Sequence, residues 1–406
     1  MPRARQLTKI RLETDDALRR PSVFFGGFMI SPESIKEFAE KEAVASYELL
    51  LELARIPAPS NKEERRAEFC LRLLHSYGAD SAYIDDALNV IYPIGVKEDS
   101  PIAVYMAHSD VVFPDETPLP LSVRDGRVYC PGVGDDTANA VALITAAKYI
   151  AERGILPKEC GLLLVINSGE EGLGNLKGTK RIMAEYGSRV KEFVTFDGYA
   201  RSICTRAVGS MRYRIRIKTA GGHSYAAFGN RNAIHVAAEL ISSLYEIELP
   251  SGGKTTYNVG EIRGGTSVNT IAEDAELLYE FRSDNKDSLA YMKERFAEVI
   301  EAHRSDDADI SVEIIGERPS SASPSEEAMA RLTSRAAAAL SAHYGYTEIP
   351  LRSSSTDANV PLSMSIPAIC MGCVTGGGAH TRDEYVETES LLPGIKTALE
   401  MILHHF

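Results

Sequence analysis

Along the chain, apolar and polar positions fall into two textures. From about Ser34, long stretches with helical spacing alternate with short unbroken apolar runs. "SIKEFAEKEAVASYELLLELARI" keeps a helical period until "PAPS" stops it, and "NKEERRAEFCLRLLHSYG" keeps it again up to a terminal glycine. "PIAVYMAH", "CGLLLVIN" and "KEFVTFDG" read as buried strands, and "TANAVALITAAKYIAERG" reads as a helix with small residues on its packing face. This alternation predicts an α/β domain, a mostly parallel sheet with helices on both faces.

Near Val208 the pattern changes. "SMRYRIRIKTA" alternates with period two, as a half-exposed antiparallel strand does. After "GGHS" come the helix "NAIHVAAELISSLYEI", the strands "TTYNVGEIRGG" and "DAELLYEFRSD", the helix "LAYMKERFAEVIEAH" and the strand "ISVEIIGE". That order predicts a small α+β sandwich, one helical layer on one four-stranded sheet. Past Pro319, "SEEAMARLTSRAAAALSAHYG" and "PAICMGC" return to the first texture. The expected organisation is a discontinuous α/β domain, residues 31–207 and 319–406, with an inserted α+β domain at 208–318. Residues 1–30 lack useful periodicity and read as a loosely ordered extension, upstream of a natural start at Met29.

A chain of 406 residues is too long for one ordinary core, in keeping with two domains. Its 44% hydrophobic and 25% charged residues are those of a soluble globular protein. A formal net charge of −13 argues against nucleic acid and anionic membrane as partners. No stretch approaches the ~20 apolar residues of a membrane span. The basic N-terminus has no apolar segment or small-residue cleavage site, so it does not read as a secretory signal. Six cysteines scattered through apolar contexts favour buried thiols in a reducing cytoplasm. Cys370 and Cys373 have CxxC spacing, but no second pair completes a zinc site.

Chemistry collects where apolar runs end. In an open parallel sheet, function gathers beyond the carboxyl ends of the strands. "IAVYMA" runs into His108-Ser109-Asp110, "LLLVI" into Asn167-Ser168-Gly169-Glu170-Glu171, and "EFVTF" into Asp197. "GVGDD" sets Asp135 and Asp136 at a glycine turn before a helix, and "TGGGAHTRDEYV" carries His380 on a glycine loop. Two adjacent glutamates ordinarily cap a surface loop, and two adjacent aspartates ordinarily cap a helix. Five such clusters at successive strand ends point instead to divalent metal, because imidazole with carboxylate suits Zn²⁺ and a bridging carboxylate suits a pair of ions.

These residues also carry a resemblance. HSD at 108–110, GDD at 134–136, SGEEGLG at 168–174, FDG at 196–198, GGHS at 221–224, GGTSVNTI at 264–271 and GAHTRDEYV at 378–386 resemble the di-zinc aminoacyl-hydrolase family. That family holds peptidase T, glutamate carboxypeptidase, acetylornithine deacetylase and succinyl-diaminopimelate desuccinylase, and the peptidase T branch looks nearest. The resemblance runs from about residue 30 onward, with the motifs in order. It implies that Asp135 bridges two divalent ions, Zn²⁺ with Mn²⁺ or Co²⁺ as alternatives. His108 and Asp197 complete one ion's shell, and Glu171 and His380 the other's. It makes Glu170 the general base toward a metal-bridging water, and Asp110 the carboxylate that accepts the remaining ring N–H of His108. It makes the inserted domain a lid and homodimer interface, with His223 reaching a partner's site and Asn269 and Arg282 binding a substrate carboxylate.

The resemblance implies a cytoplasmic di-metal exopeptidase acting on short peptides. A deacylase of N-acyl amino acids shares the same metal chemistry. A non-catalytic binding protein on the same fold has no physical need to keep Glu170, and purely structural ions fit poorly with open glycine loops. One departure stands out. Many relatives follow the bridging aspartate with Asp-Lys-Gly or Asp-Lys-Ala, whereas here Asp136-Thr137-Ala138-Asn139 follows, which removes a positive charge beside the metals.

Overall fold

The computed structural model describes residues 9–11, 23–25 and 28–406. Two compact units emerge, one formed by 1–206 and 323–406 and the other by 207–322.

In the first unit the elements relevant to the site are α1 (Pro32–Ala54), α2 (Glu64–Ser76), β1 (Val90–Ile94), β2 (Ile102–His108), α3 (Ala138–Arg153), β3 (Gly161–Asn167), α4 (Lys177–Tyr186), β4 (Val190–Phe196) and β5 (Ile203–Ala207). α1 begins at a capping box in which Ser31 and Ser34 bond each other's backbone N–H groups, and α3 ends at Gly154 in the left-handed region. All seven residues of β2 and all seven of β3 are buried, so their unbroken apolar runs reflect cover on both faces.

The second unit holds β6 (Gly209–Lys218), α5 (Ala233–Tyr245), β7 (Thr255–Gly264), β8 (Asp274–Ser283), α6 (Lys286–His303) and β9 (Asp309–Arg318). Its sheet has the order β7-β8-β6-β9 and is antiparallel throughout. Met211, Tyr213, Ile215 and Ile217 of β6 face the core with Leu277, Tyr279 and Phe281 of β8, while α5 and α6 bring Leu240 and Phe296. The alternate residues of β6 face away. There Arg212 pairs with Glu280, Arg214 with Glu313 and Arg216 with Glu276. Ladders of this exposed kind contribute at most about 1 kcal/mol per pair.

The chain returns to the first unit as α7 (Glu326–Tyr344), β10 (Glu348–Ser354), β11 (Ala368–Met371) and α8 (Leu391–Leu403). Among the described residues, nine strands form its main sheet, in which β11, β4, β2 and β3 run parallel at the centre. β11 lies between β5 and β4, antiparallel to the former. On the far side β1 runs antiparallel to β3, and Tyr83–Ile84 pairs beyond it at the edge. Of the first 30 residues, Lys9–Arg11 pair with β10, and Val23–Phe25 pair with Phe28–Ile30. The rest of the expected loose extension lies outside the described residues. All six cysteines are buried and free. No helix among the described residues is long and apolar enough to cross a membrane.

Candidate metal centre

The parallel strands β2, β3, β4 and β11 share one direction, so their carboxyl ends deliver side chains to one edge of the sheet. His108 closes β2 and is buried. Its Nδ1 lies 3.0 Å from the Asp110 carbonyl oxygen, and its Nε2 lies 3.0 Å from Asp135 Oδ1. A carbonyl can only accept, so Nδ1 donates to it, and Nε2 faces the Asp135 carboxylate. Burial alone would hold the imidazole neutral. The charges of Asp136, Asp110 and Asp135 outweigh it and raise the His108 pKa well above the usual histidine range.

Beyond β3, the turn to Glu170 and Glu171 is held by Asp110. Its Oδ1 accepts the Glu170 N–H at 3.0 Å, and its Oδ2 accepts the Glu171 N–H at 2.9 Å and the Ser60 hydroxyl at 2.6 Å. The Asp110 carboxylate was expected on the His108 ring. It stands 3.5 Å from Nδ1, and the nearer acceptor is the main-chain carbonyl. Gly169 has φ +66°, and a Cβ at Gly174 would fall 2.4 Å from the Gly169 Cα, so this turn tolerates side chains at neither.

Asp135 is the centre of the arrangement. His108 Nε2 meets its Oδ1, and His380 Nε2 stands 3.2 Å from its Oδ2 and 2.9 Å from Glu171 Oε1. His380 adopts φ +64° on the loop of Gly376, Gly377 and Gly378. Burial would raise the Asp135 carboxyl, but hydrogen bonds from the two imidazoles hold it below its usual range. The Asp135 and Glu171 carboxylates beside it push the His380 imidazole up to about 11. Asp197, just past β4, is pushed up to about 7 by burial and then by the Asp135 charge. The Asp135–Asp136 peptide is cis. Asp136 turns inward, its Oδ2 accepting the His108 N–H at 2.8 Å and its Oδ1 the Asn139 amide at 2.6 Å.

Three overlapping sets of ligand atoms each lie within 4.8 Å of one another: His108, Glu170 and Glu171; His108, Asp136 and Asp197; and Asp135, Glu171 and His380. Two ligands of one tetrahedral Zn²⁺, at bonds of about 2.0–2.1 Å, stand about 3.3 Å apart. The contacts of 3.0, 3.2 and 2.9 Å lie close to that edge. Glu171 Oε1 adds a second sign, because it is buried and makes no hydrogen bond although His380 Nε2 is 2.9 Å away. An imidazole nitrogen and a carboxylate oxygen converging at this spacing are placed as ligands of a common ion would be. The residues present therefore fit a divalent pair.

Residues 104–404 match the profile of Peptidase family M20/M25/M40. The chain belongs to peptidase family M20/M25/M40. It is 29% identical over 225 residues to a succinyl-diaminopimelate desuccinylase of Nitrosomonas eutropha, covering 50% of this chain and 59% of that protein. The chain thus spans little more than half the length of the curated relatives it matches. Among solved structures it resembles a tripeptidase from Staphylococcus aureus, with 22% identity, TM-score 0.69, and coverage of 89% of this chain and 97% of the other. Aminopeptidase PepT from Bacillus cereus is similar at 22% identity and TM-score 0.66, covering 89% and 98%. At these identities the two structures establish the fold.

In this M20/M25/M40 chain the centre is propped by residues that no strand-end pattern points to. Glu384 is 1% exposed, and its carboxylate accepts the backbone N–H groups of Gly132, Gly134 and Asp135, each at 2.8 Å. Burial pushes its carboxyl up to about 7 even against those three donors. Asn139 Nδ2 also donates to the Gly198 carbonyl at 2.9 Å, and its Oδ1 accepts the Cys373 N–H at 2.7 Å, linking the start of α3 to the ends of β4 and β11. Thr137 occupies the position where lysine was missing, and the buried Arg66 guanidinium donates to its hydroxyl at 3.2 Å. Only Arg66 offers a sequence signal. It falls on the inward stripe of α2 with Ala67, Cys70 and Leu74, where an unpaired charge would be costly.

The remaining family candidates lie in the second unit. His223 is exposed, on a two-residue strand paired with Thr270–Ile271, and its Nδ1 accepts the N–H groups of Tyr225 and Ala226. The Asn269 carbonyl accepts the Ser224 N–H at 3.0 Å, so His223 and Asn269 lie at the same antiparallel strand pair. Tyr225, Phe228 and Val268 around them are about fully exposed, at 89%, 90% and 101%. Arg282 is on β8, its fork closed on Glu280 with Nε–Oε1 2.9 Å and Nη2–Oε2 3.0 Å.

Proposed function

We propose that the chain is a di-metal hydrolase of amide bonds in short peptides, a peptidase T-like exopeptidase. The observation carrying this reading is the Asp135 carboxylate with an imidazole on each oxygen, His108 at 3.0 Å and His380 at 3.2 Å. One ion would be held by His108, Asp197 and one Asp135 oxygen, the other by Glu171, His380 and the second oxygen. Zn²⁺ suits this set, and Mn²⁺ or Co²⁺ would be accepted. When bound, the pair supplies Lewis acidity, polarising the scissile carbonyl and lowering the pKa of water toward ~7.

Glu170 is the proton carrier. It is 6% exposed, and its carboxylate lies within 4.8 Å of the ligand atoms of His108 and Glu171. It takes a proton from the attacking water and returns it to the leaving amine. Asp110 keeps the carrier in place by holding both glutamate N–H groups. In the second unit, a lid and homodimerisation domain, His223 acts on the carbonyl in a partner subunit's site. Asn269 and Arg282 bind a substrate carboxylate there, which for Arg282 means exchanging Glu280 for the substrate. The enzyme works in the cytoplasm.

A second reading, hydrolysis of N-acyl amino acids, is favoured by the similarity to the desuccinylase. The deciding experiment is a screen of the chelator-stripped, Zn²⁺-reconstituted protein against di- and tripeptides and N-acetyl amino acids. Peptide turnover that vanishes with chelator and returns with metal is expected. Turnover of N-acyl amino acids alone would select the second reading, and a protein holding two ions but cleaving neither class would end both.

A further inference from the structure

Arg66 is one of the largest fully buried side chains in the molecule, 1% exposed. A guanidinium keeps its charge in any protein setting, and burying one costs several kcal/mol unless its N–H groups meet acceptors. Burial lowers the Arg66 pKa only to about 10. Its Nε donates to the Ile56 carbonyl at 2.8 Å, and its Nη1 donates to the Ser109 carbonyl at 2.8 Å and to Thr137 Oγ1 at 3.2 Å. The last two acceptors lie on the two segments that carry the first ligands. Ser109 sits between His108 and Asp110. Thr137 directly follows Asp136, and its hydroxyl donates to the Gly132 carbonyl at 2.6 Å, closing the turn that holds Asp135.

We infer that Arg66 is a positioning residue of the metal centre, whose planar guanidinium, anchored through Nε to Ile56, uses Nη1 to tie the His108 loop to the Asp135 turn at their metal-binding spacing. It touches neither ion nor substrate. The inference rests on the reading of this cluster as a divalent-metal site. It separates from a purely electrostatic role by sign. Removing a positive charge beside two divalent cations would by itself tighten metal binding, whereas losing these bonds lets two ligand segments drift and weakens it.

The test uses the full chain, stripped with chelator and titrated with Zn²⁺ against a chromophoric competitor, with melting in excess chelator recorded alongside. Arg66→Met removes charge and donors at similar length. It should weaken Zn²⁺ binding by about 10–100-fold, the usual effect of losing a group that orients metal ligands. Arg66→Lys keeps the charge but loses the Nε anchor to Ile56 and the fixed direction it gives the other two bonds, and should weaken binding at least about threefold while melting in chelator stays near wild type. Equal or tighter binding by Arg66→Met would overturn the inference. If that variant does not fold in chelator, Arg66→Lys decides alone, and wild-type affinity in it would overturn the inference. A wild-type protein that binds no Zn²⁺ would instead refute the metal-site reading itself.

Discussion

Glu384 offers the most direct measure of how firmly the Asp135 turn is held. Its two oxygens serve three backbone donors, Oε1 taking Gly134 and Asp135 and Oε2 taking Gly132, all at 2.8 Å. In Glu384→Gln the amide oxygen can keep the first two, but the amide NH₂ then faces the Gly132 N–H, donor against donor. One buried N–H left without an acceptor costs about 1–3 kcal/mol, and the two retained bonds lose their charge assistance. Together these give about 2–4 kcal/mol of lost local stability in the Gly132–Asp135 turn. At 1.4 kcal/mol per factor of ten, amide exchange in that turn should accelerate at least about 30-fold. Hydrogen–deuterium exchange of the chelated protein reads this in a peptide covering residues 131–137, with a peptide from the second unit as the unaffected control. Zn²⁺ affinity should fall in parallel, since Asp135 rides on the same turn. Protection within about twofold of wild type in that peptide would refute the reasoning.

Glu170→Ala should retain both ions and lose at least about 10²-fold in kcat, while Glu171→Ala should lose metal as well as activity, and equal metal loss would mean the roles are reversed. Co-refolding Glu170→Ala with His223→Ala should raise activity toward roughly a quarter of wild type, given random pairing into two-fold dimers. Hybrids demonstrated by mass but no more active than their parents would exclude a His223 acting across subunits. Far from the centre, burial would raise the Glu192 carboxyl, but His405 at 3.0 Å and Arg335 at 3.3 Å hold it below its usual range. A lowered carboxylate stabilises above its unfolded pKa of about 4.3 and loses that contribution as pH falls through its folded value. Glu192→Gln should therefore flatten the drop in melting temperature below about pH 4.3, measured in chelator, and an identical acid limb would count against it.

The buried centre of the fold could be read from sequence because burial on both faces leaves unbroken apolar runs at 102–108 and 161–167. The edges could not. β10 contains Leu351-Arg352-Ser353-Ser354, whose outer residues are partly exposed and carry no run. Nor does periodicity announce α8, because Pro393 and Gly394 in its first turn interrupt an otherwise helical pattern. Candidate ligands were legible where strand ends made them conspicuous. Their supports were less so, because Glu384 looks like a solvated charge until the fold buries it, and Arg66 shows only as a charge on the inward stripe of α2. Asp110 shows a subtler limit. Its place beside His108 was evident, but whether its carboxylate or its carbonyl meets the ring depends on backbone geometry that spacing does not record.

The position of β11 between β4 and β5 has a consequence for how the protein is made. β4 and β5 leave the ribosome next to each other in time, yet the strand that separates them arrives only after the whole second unit and α7 have been translated. At about 5–20 residues per second, residues 207–322 alone take on the order of ten seconds. Throughout that delay the nascent chain carries His108, Asp135, Glu171 and Asp197 on a half-built sheet whose interior slot is vacant. The exposed flank of β4, "VKEFVTF", is then an open invitation to pair with the wrong strand. Insertion of β11 fills the slot, and His380 and Glu384 follow nine and thirteen residues past its end, so sheet closure and completion of the ligand set both come late.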